Sequence, residues 1–295
     1  MDIQLFFQYL ETEKRYSPHT LKAYKADLTR FFGFISTQYH IKEISEIELP
    51  MIRSWIVSMM DNGISSRTIN RKLSSLKSLY RFLIREDIVK VNPVTKVIPP
   101  KSAQPLPVFV DKKGMDLLFE KVEFGQGFVG SRDKLILEMF YFTGVRLAEL
   151  IEMTDANVDL SQQQIKVLGK RNKERIIPIN MVFIQSIRNY IEIRNKEVGQ
   201  SGPVSFLFLA ESGNKMYKKL VYRIVNSYLG KVSTLTKKSP HVLRHTFATH
   251  MLNNGANLNT IKEFLGHSNL AATQIYTHNT IDKLKLIYEQ AHPRA

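Results

Sequence analysis

Four residues near the end of the chain have types suited to phosphate chemistry: His241, Arg244, His267 and Tyr276, all between Ser239 and His278. An arginine offers a rigid fork of N–H donors to two non-bridging oxygens. A histidine exchanges a proton near neutral pH. A tyrosine carries a phenolic oxygen, a poor nucleophile at its free pKa of about 10 unless cations stabilise the phenolate and the transition state together. The chain contains no cysteine, and no Asp or Glu falls between Lys237 and Lys262. Such a set suits attack by a tyrosine on a phosphodiester, assisted by cationic side chains and without a metal. Taken singly, each has a plainer alternative. His241 and Arg244 are ordinary polar residues of a helix surface, and Tyr276 beside Ile275 is an ordinary half-buried aromatic.

Further cations lie upstream. Arg146 stands in FTGVRLAEL, just after Gly144. Lys170 opens the turn GKRNKER, but Arg171, Lys173 and Arg175 are equally basic, and spacing does not choose among them. His241 and His245 have zinc-ligand spacing, with His250 and His267 nearby. The segment HVLRH nevertheless lacks the general-base glutamate of HExxH, and an arginine inside the pair repels a cation. With no GxxxxGK[ST] loop and no acidic cluster, neither a metal nor a cofactor is expected.

These residues need elements to hold them. Ser239-Pro240 is a helix start, with a capping residue before proline at the first helical position. It places His241, Arg244 and His245 on one face near a helix N-terminus, where exposed amides favour a phosphate. Other helices are expected near 111–122, 131–143, 146–153, 181–197, 215–229, 258–265 and 280–290. IKVLG and ERIIPI alternate around the polar turn as a hairpin. ANLNTIKEFLGHSNLAATQIY also has some character of a helix-turn-helix.

The first ninety or so residues read as helices only. Ser17-Pro18 starts one whose apolar stripe is Leu21, Tyr24, Leu28, Phe31, Phe32 and Ile35. Another runs from Leu49 to Met60 and stops at Asn62-Gly63. The next starts near Ser65 or Ser66, with Ile69, Leu73, Leu76, Leu79, Tyr80 and Leu83 on one face and Arg67, Arg71, Lys72 and Lys77 on the other. That basic face is either a solvated surface or one that tracks phosphates. NPVTKVIPPKSAQPLPV then breaks the helical period with five prolines. The expected organisation is an all-α domain over 1–92, an extended proline-rich linker over 93–108, and a second domain over 109–295. The fold class is mostly α with two domains, the second α-rich with a small antiparallel β-sheet. A linker of that length lets two domains grip a rod-like ligand from opposite sides.

Composition points to the ligand. The 42 basic and 27 acidic residues leave a net charge of +15, an excess that in a soluble protein usually signals a polyanion, nucleic acid first. Residues 1–100 hold 15 of the basic and 10 of the acidic residues, so both domains share the excess and both can face the same partner. No apolar run spans a bilayer and no secretory signal opens the chain, so the expected location is the cytoplasm, at the nucleoid, with no membrane partner.

Taken together and in this order, the motifs resemble the tyrosine recombinases, the integrase family that includes Cre and the Xer chromosome-dimer resolvases. TGVRLAEL resembles the family's first arginine box, GKRNKERIIPI its lysine hairpin, SPHVLRHTFATHML its His-x-x-Arg box, LGHSNLAATQIYTH the second histidine and nucleophile, and HPRA the tail. The ending is most similar to the XerC/XerD branch. The resemblance implies double-stranded DNA as partner, cut and rejoined through a 3′-phosphotyrosyl link without ATP. It implies that Arg146 and Arg244 clamp the scissile phosphate and that Lys170 protonates the leaving 5′-oxygen. His241 would assist proton transfer at the nucleophile, His267 would hydrogen-bond the phosphate, and Tyr276 would attack. It further implies a homo- or hetero-tetramer on two DNA sites, a C-terminal helix near Asp282–Ala291 that docks into a neighbour, and resolution of chromosome dimers at a dif-type site. A DNA translocase of the FtsK type is left open as an activator. Two positions depart from the pattern: Arg171 replaces a usual glycine, so the turn is reshaped or Asn172 takes the left-handed position, and Ala148 replaces a common serine.

Three rivals remain. A mobile-element integrase has the same chemistry, but the short N-terminal region leaves little room for an arm-binding domain. A non-enzymatic helix-turn-helix regulator leaves Arg146 and HVLRH idle. A type IB topoisomerase relaxes supercoils as a monomer with little site preference.

Overall fold

The computed structural model describes residues 3–102, 108–169, 174–199, 204–266 and 278–294, with the side chains of 278–283 excepted. The chain divides into two compact units, Met1–Pro105 and Leu106–Ala295, each with its own apolar core.

The first unit is helical: α1 (Gln4–Thr12), α2 (Pro18–Tyr39), α3 (Leu49–Asp61) and α4 (Ser66–Arg85). Ser17 caps α2 by accepting the Thr20 amide at 3.3 Å, with Pro18 as the first helical residue. The predicted stripe of α4 is buried throughout, against Phe6, Leu28, Phe31, Ile52 and Trp55. One residue departs from its predicted face. Lys72 is 2% exposed, not on the outer basic surface, and its Nζ lies 3.3 Å from Asp27 Oδ1. Asp27, buried on α2, also accepts from Arg71 and from Ser75. A carboxylate taken out of water needs its charge matched, and that requirement draws Lys72 inward. The start of the proline-rich stretch is folded too. Pro93–Lys96 forms a 3-10 turn, capped by Asn92, and Val94 is buried in the first unit's core.

The second unit contains α5 (Lys112–Glu120), α6 (Gly127–Thr143), α7 (Leu147–Glu152), β1 (Val158–Asp159), β2 (Gln164–Leu168), β3 (Glu174–Pro178), α8 (Met181–Glu197), α9 (Lys218–Val232), α10 (Pro240–Asn253), α11 (Leu258–Leu265) and α12 (His278–Ala291). The sheet is antiparallel in the order β1-β2-β3. Its hairpin register pairs Val167 with Arg175 and Leu168 with Glu174. From Leu135 to Thr143, α6 is buried all round, as befits the central helix of a unit packed on several sides. It starts four residues before the predicted 131 because Glu197, from the end of α8, caps it: Glu197 Oε2 accepts the Phe128 amide at 2.8 Å. Helix α9 starts three residues late because Lys215 is held in an antiparallel bridge with Leu209. In this single chain α12 packs on its own unit through Leu284, Tyr288 and Ala291. Among the described residues no helix is long and apolar enough to cross a membrane.

Candidate active site

Three helix ends converge in the second unit. Helix α6 ends at Gly144, which takes φ +60° and donates its amide to Phe140 O at 3.0 Å. A Cβ there would meet the Phe247 ring at 2.6 Å and a Leu265 methyl at 2.9 Å, so both the left-handed turn and the close approach require glycine. Two residues on, Arg146 occupies the N-cap of α7. Glu149, in the third position of that helix, reaches back to the Arg146 amide at 2.7 Å. Helix α11 ends at Gly266, also left-handed, one residue before His267.

The last carbonyls of α11 meet three arginines in turn. Arg175 Nε donates to Phe264 O at 2.8 Å. Arg244 Nη2 donates to Leu265 O at 2.6 Å, and its Nη1 donates to Gly144 O. Arg146 Nη2 donates to Gly266 O at 3.2 Å. A helix C-terminus leaves such carbonyls without intrahelical donors and carries partial negative charge, so cations are favoured there. The Glu149 carboxylate provides the only full negative charge in the cluster among the described residues. It accepts Arg146 Nη1 at 2.8 Å and both terminal nitrogens of Arg175 at 2.8 and 2.9 Å. Desolvation would raise the Glu149 carboxyl, but these three donors and the Arg146 amide together hold it down to about 2.

Three guanidinium groups and one carboxylate leave two net positive charges. Arg244 is nearly buried, and burial, reinforced by the charges of Arg146 and Arg175, lowers its pKa to about 9. It remains charged at neutral pH, but incompletely compensated. An anion is the complement that such a cluster lacks. Toward the described residues, the Arg146 and Arg244 side chains each spend two of their five N–H donors. Arg146 keeps about a quarter of its surface open, at 26%.

The structure thus brings Arg146 and Arg244 together. His241 stands exposed in the first turn of α10, one turn before Arg244, and His245 is half-buried. His250 faces the core instead, its Nδ1 3.0 Å from the Tyr141 hydroxyl. Lys170, His267 and Tyr276 lie outside the described residues.

Two members of the cluster, Glu149 and Arg175, went unassigned in the sequence. Each nevertheless carried a signal. Glu149 follows Arg146 at capping-box spacing. Arg175 shares the parity of Ile177 in ERIIPI, and residues two apart on a strand line one face; Ile177 is buried, and so is Arg175 at 4% exposed.

Comparison with known proteins agrees along the whole chain. Residues 110–282 match the model of the phage integrase family, and residues 3–87 match the phage integrase N-terminal SAM-like domain. The chain is 37% identical to the tyrosine recombinase XerC of Chlorobaculum parvum over 99% of its own length and 94% of the relative's. It is 38% identical to XerC of Staphylococcus carnosus, covering 98% of this chain and 96% of that one. A solved structure of the Tn1549 transposon integrase in complex with a circular intermediate DNA superposes with a TM-score of 0.73 at 22% identity, covering 95% of this chain and 97% of that one. The XerH recombinase bound to a palindromic difH substrate gives 0.70 at 19% identity, covering 93% and 77%. At these identities the two structures speak to the fold alone.

Proposed function

Since this chain belongs to the tyrosine recombinases of the phage integrase family, Xer-type enzymes that cut and rejoin DNA, we propose that its cleavage runs through Tyr276 at the arginine cluster described above. The observation that carries this reading is the pair Arg146–Arg244, anchored on the carbonyls of Gly266 and Leu265, immediately before His267 and ten residues before Tyr276.

The steps balance without an external energy source. The Tyr276 phenolic oxygen attacks the scissile phosphorus, and the bond to the 5′-oxygen breaks. Lys170 supplies the proton that this oxygen takes up, and His241 receives the proton of the phenol. Arg146 and Arg244 neutralise the charge gathering on the non-bridging oxygens, with His267 as a further donor. One phosphodiester replaces another, so the 5′-hydroxyl of a second strand can reverse the reaction. An arginine placed at transferring phosphoryl oxygens contributes on the order of 10³–10⁵ in rate in other enzymes, and a general acid contributes roughly 10²–10⁴.

The substrate we propose is a dif-type chromosomal site, bound by four protomers on two duplexes, for the resolution of chromosome dimers. What favours this over a mobile-element role is the near end-to-end match to Xer relatives. Activation by a DNA translocase of the FtsK type belongs to the same proposal.

The test uses a nicked suicide duplex bearing the dif-type site of the source chromosome. The wild-type protein should become covalently attached to it. Tyr276→Phe should bind with similar affinity and form no adduct. An adduct retained by that variant sinks the assignment of the nucleophile. Reaction at the ends of a resident mobile element, with none at the chromosomal site, sinks the resolvase reading while leaving the chemistry intact.

A further inference from the structure

We propose that Arg175 is a positioning residue of the phosphate clamp, holding Glu149 and the end of α11 so that Arg146 and Arg244 present their charge to the scissile phosphate. The inference deepens the proposed function and rests on its assignment of Arg146 and Arg244 as the clamp.

Consider what Glu149 would do by itself. Its carboxylate accepts from both the amide and the guanidinium of Arg146. A carboxylate paired with one arginine alone would neutralise that arginine and compete with the phosphate for it. In this structure Glu149 is shared. Arg175 takes both oxygens with two parallel N–H bonds at 2.8 and 2.9 Å, the bidentate geometry that fixes a carboxylate plane. The trio of Arg146, Glu149 and Arg175 keeps one net positive charge. Glu149 therefore orients Arg146 without extinguishing it.

The third bond of Arg175 acts on the other side of the clamp. Its Nε holds Phe264 O at 2.8 Å, and its side chain lies against Gly266, where a Cβ would come within 3.1 Å of Cδ and 3.3 Å of Nη1. Phe264 O is the carbonyl that precedes Leu265 O and Gly266 O, the anchors of Arg244 and Arg146. One guanidinium thus fixes both the acceptor that orients Arg146 and the carbonyl row on which Arg146 and Arg244 rest. Lysine cannot replace it: an ammonium has no planar fork and no additional Nε to meet three acceptors at once. The position of Arg175 on β3, opposite buried Val167, gives the group a rigid base.

The test separates a clamp-positioning role from a purely structural one by removing the charge that the clamp exists to meet. Single-turnover cleavage is measured on two suicide duplexes, one with the ordinary scissile phosphate and one with an uncharged racemic methylphosphonate at the same position. Arg244→Ala, Arg175→Lys and Arg175→Met are compared with the wild type. Expected for both Arg175 variants is a loss of at least about tenfold on the phosphate and less than about threefold on the methylphosphonate, parallel to a larger loss in Arg244→Ala that also shrinks on the neutral substrate. Should Arg175→Met fail to fold, Arg175→Lys decides alone, since it keeps the charge and loses only the geometry. Equal losses on the two substrates, or none, in Arg175→Lys while Arg244→Ala discriminates between them would overturn the inference. Equal losses in Arg244→Ala itself would overturn the clamp reading, and the role of Arg175 with it.

Discussion

Arg244 shows how a residue's position sets what its removal should do. Its guanidinium is nearly buried and is held by two backbone carbonyls, so it offers little surface to a general backbone contact. Arg244→Ala is therefore expected to lower cleavage by about 10²–10³ while changing affinity for the site much less, because the many exposed cations still supply most of the binding. A gel-shift titration alongside single-turnover cleavage distinguishes the two effects; equal loss in both would make Arg244 an ordinary backbone contact. Glu149 is the counterpart. It had no chemical role in the sequence, where it stood as one acidic residue of a box valued for its arginine. Only the arrival of Arg175 from β3, 26 positions away, turned it into the hub of the cluster. Arg175 itself had been one of four equal cations in the turn segment. Strand parity distinguished it, but its partners were not local.

At the scale of elements, helix ends rather than helix faces build the site. Gly144 closes α6 and lends its carbonyl to Arg244. Gly144→Ala forces a Cβ into the Phe247 ring and Leu265 and an alanine into left-handed backbone. Together these should destabilise the second unit by roughly 2–4 kcal/mol and displace the carbonyl on which Arg244 rests. Thermal unfolding and cleavage should fall together in this variant; an unchanged melting temperature would show that the close approach at α6 is not maintained in solution. Helix existence was legible throughout, because apolar spacing and the two Ser-Pro starts are local signals. Boundaries failed where the cap came from far away. Glu197 starts α6 from the end of α8, and the bridge at Lys215 delays α9. The basic face of α4 was misread at Lys72 for a related reason: its partner Asp27 lies on another helix.

The molecule as a whole should be sensitive to acid through its second unit. Glu149 is held at about 2 against an ordinary 4.5. The folded state binds fewer protons than the unfolded one in that interval, so this group's stabilisation is present above pH 4.5 and is lost as pH falls toward 2. His292, in the tail after α12, is buried against Phe142 and Tyr288 with ring centroids 4.9 and 5.0 Å away, and its Nε2 lies 3.1 Å from Tyr141 O. Burial lowers its pKa from 6.5 to about 4. Here too the folded state holds fewer protons, so stability falls as pH drops from 6.5 through about 4. His292→Phe keeps the ring stacking and removes the titration. Its denaturation free energy should decline less steeply between pH 6.5 and 4 than that of the wild type, the remaining slope coming from groups such as His250, whose pKa burial also lowers, at a cost near neutral pH of roughly 1–3 kcal/mol for the orphaned carbonyl. Far-UV circular dichroism follows the whole chain, while the sole tryptophan, Trp55, reports the first unit separately. Identical slopes in wild type and variant would remove His292 from the account.

The sequence by itself determined the chemistry class, the mostly helical two-domain fold and the basic character of both halves, and it singled out Arg146 and Arg244 as candidates. The fold and the charge rest on local periodicity and composition, whereas the two arginines stood out through the resemblance of their motifs to the recombinase family, since each alone reads as an ordinary polar residue. Only the tertiary structure decided how the arginines are made usable. Three guanidinium groups converge on the last carbonyls of α11, two of them share one carboxylate, and the members come from β3, α7, α10 and the N-cap of α7. Charge compensation depends on distance in space, and the nearest partner of a buried charge is usually remote in the chain.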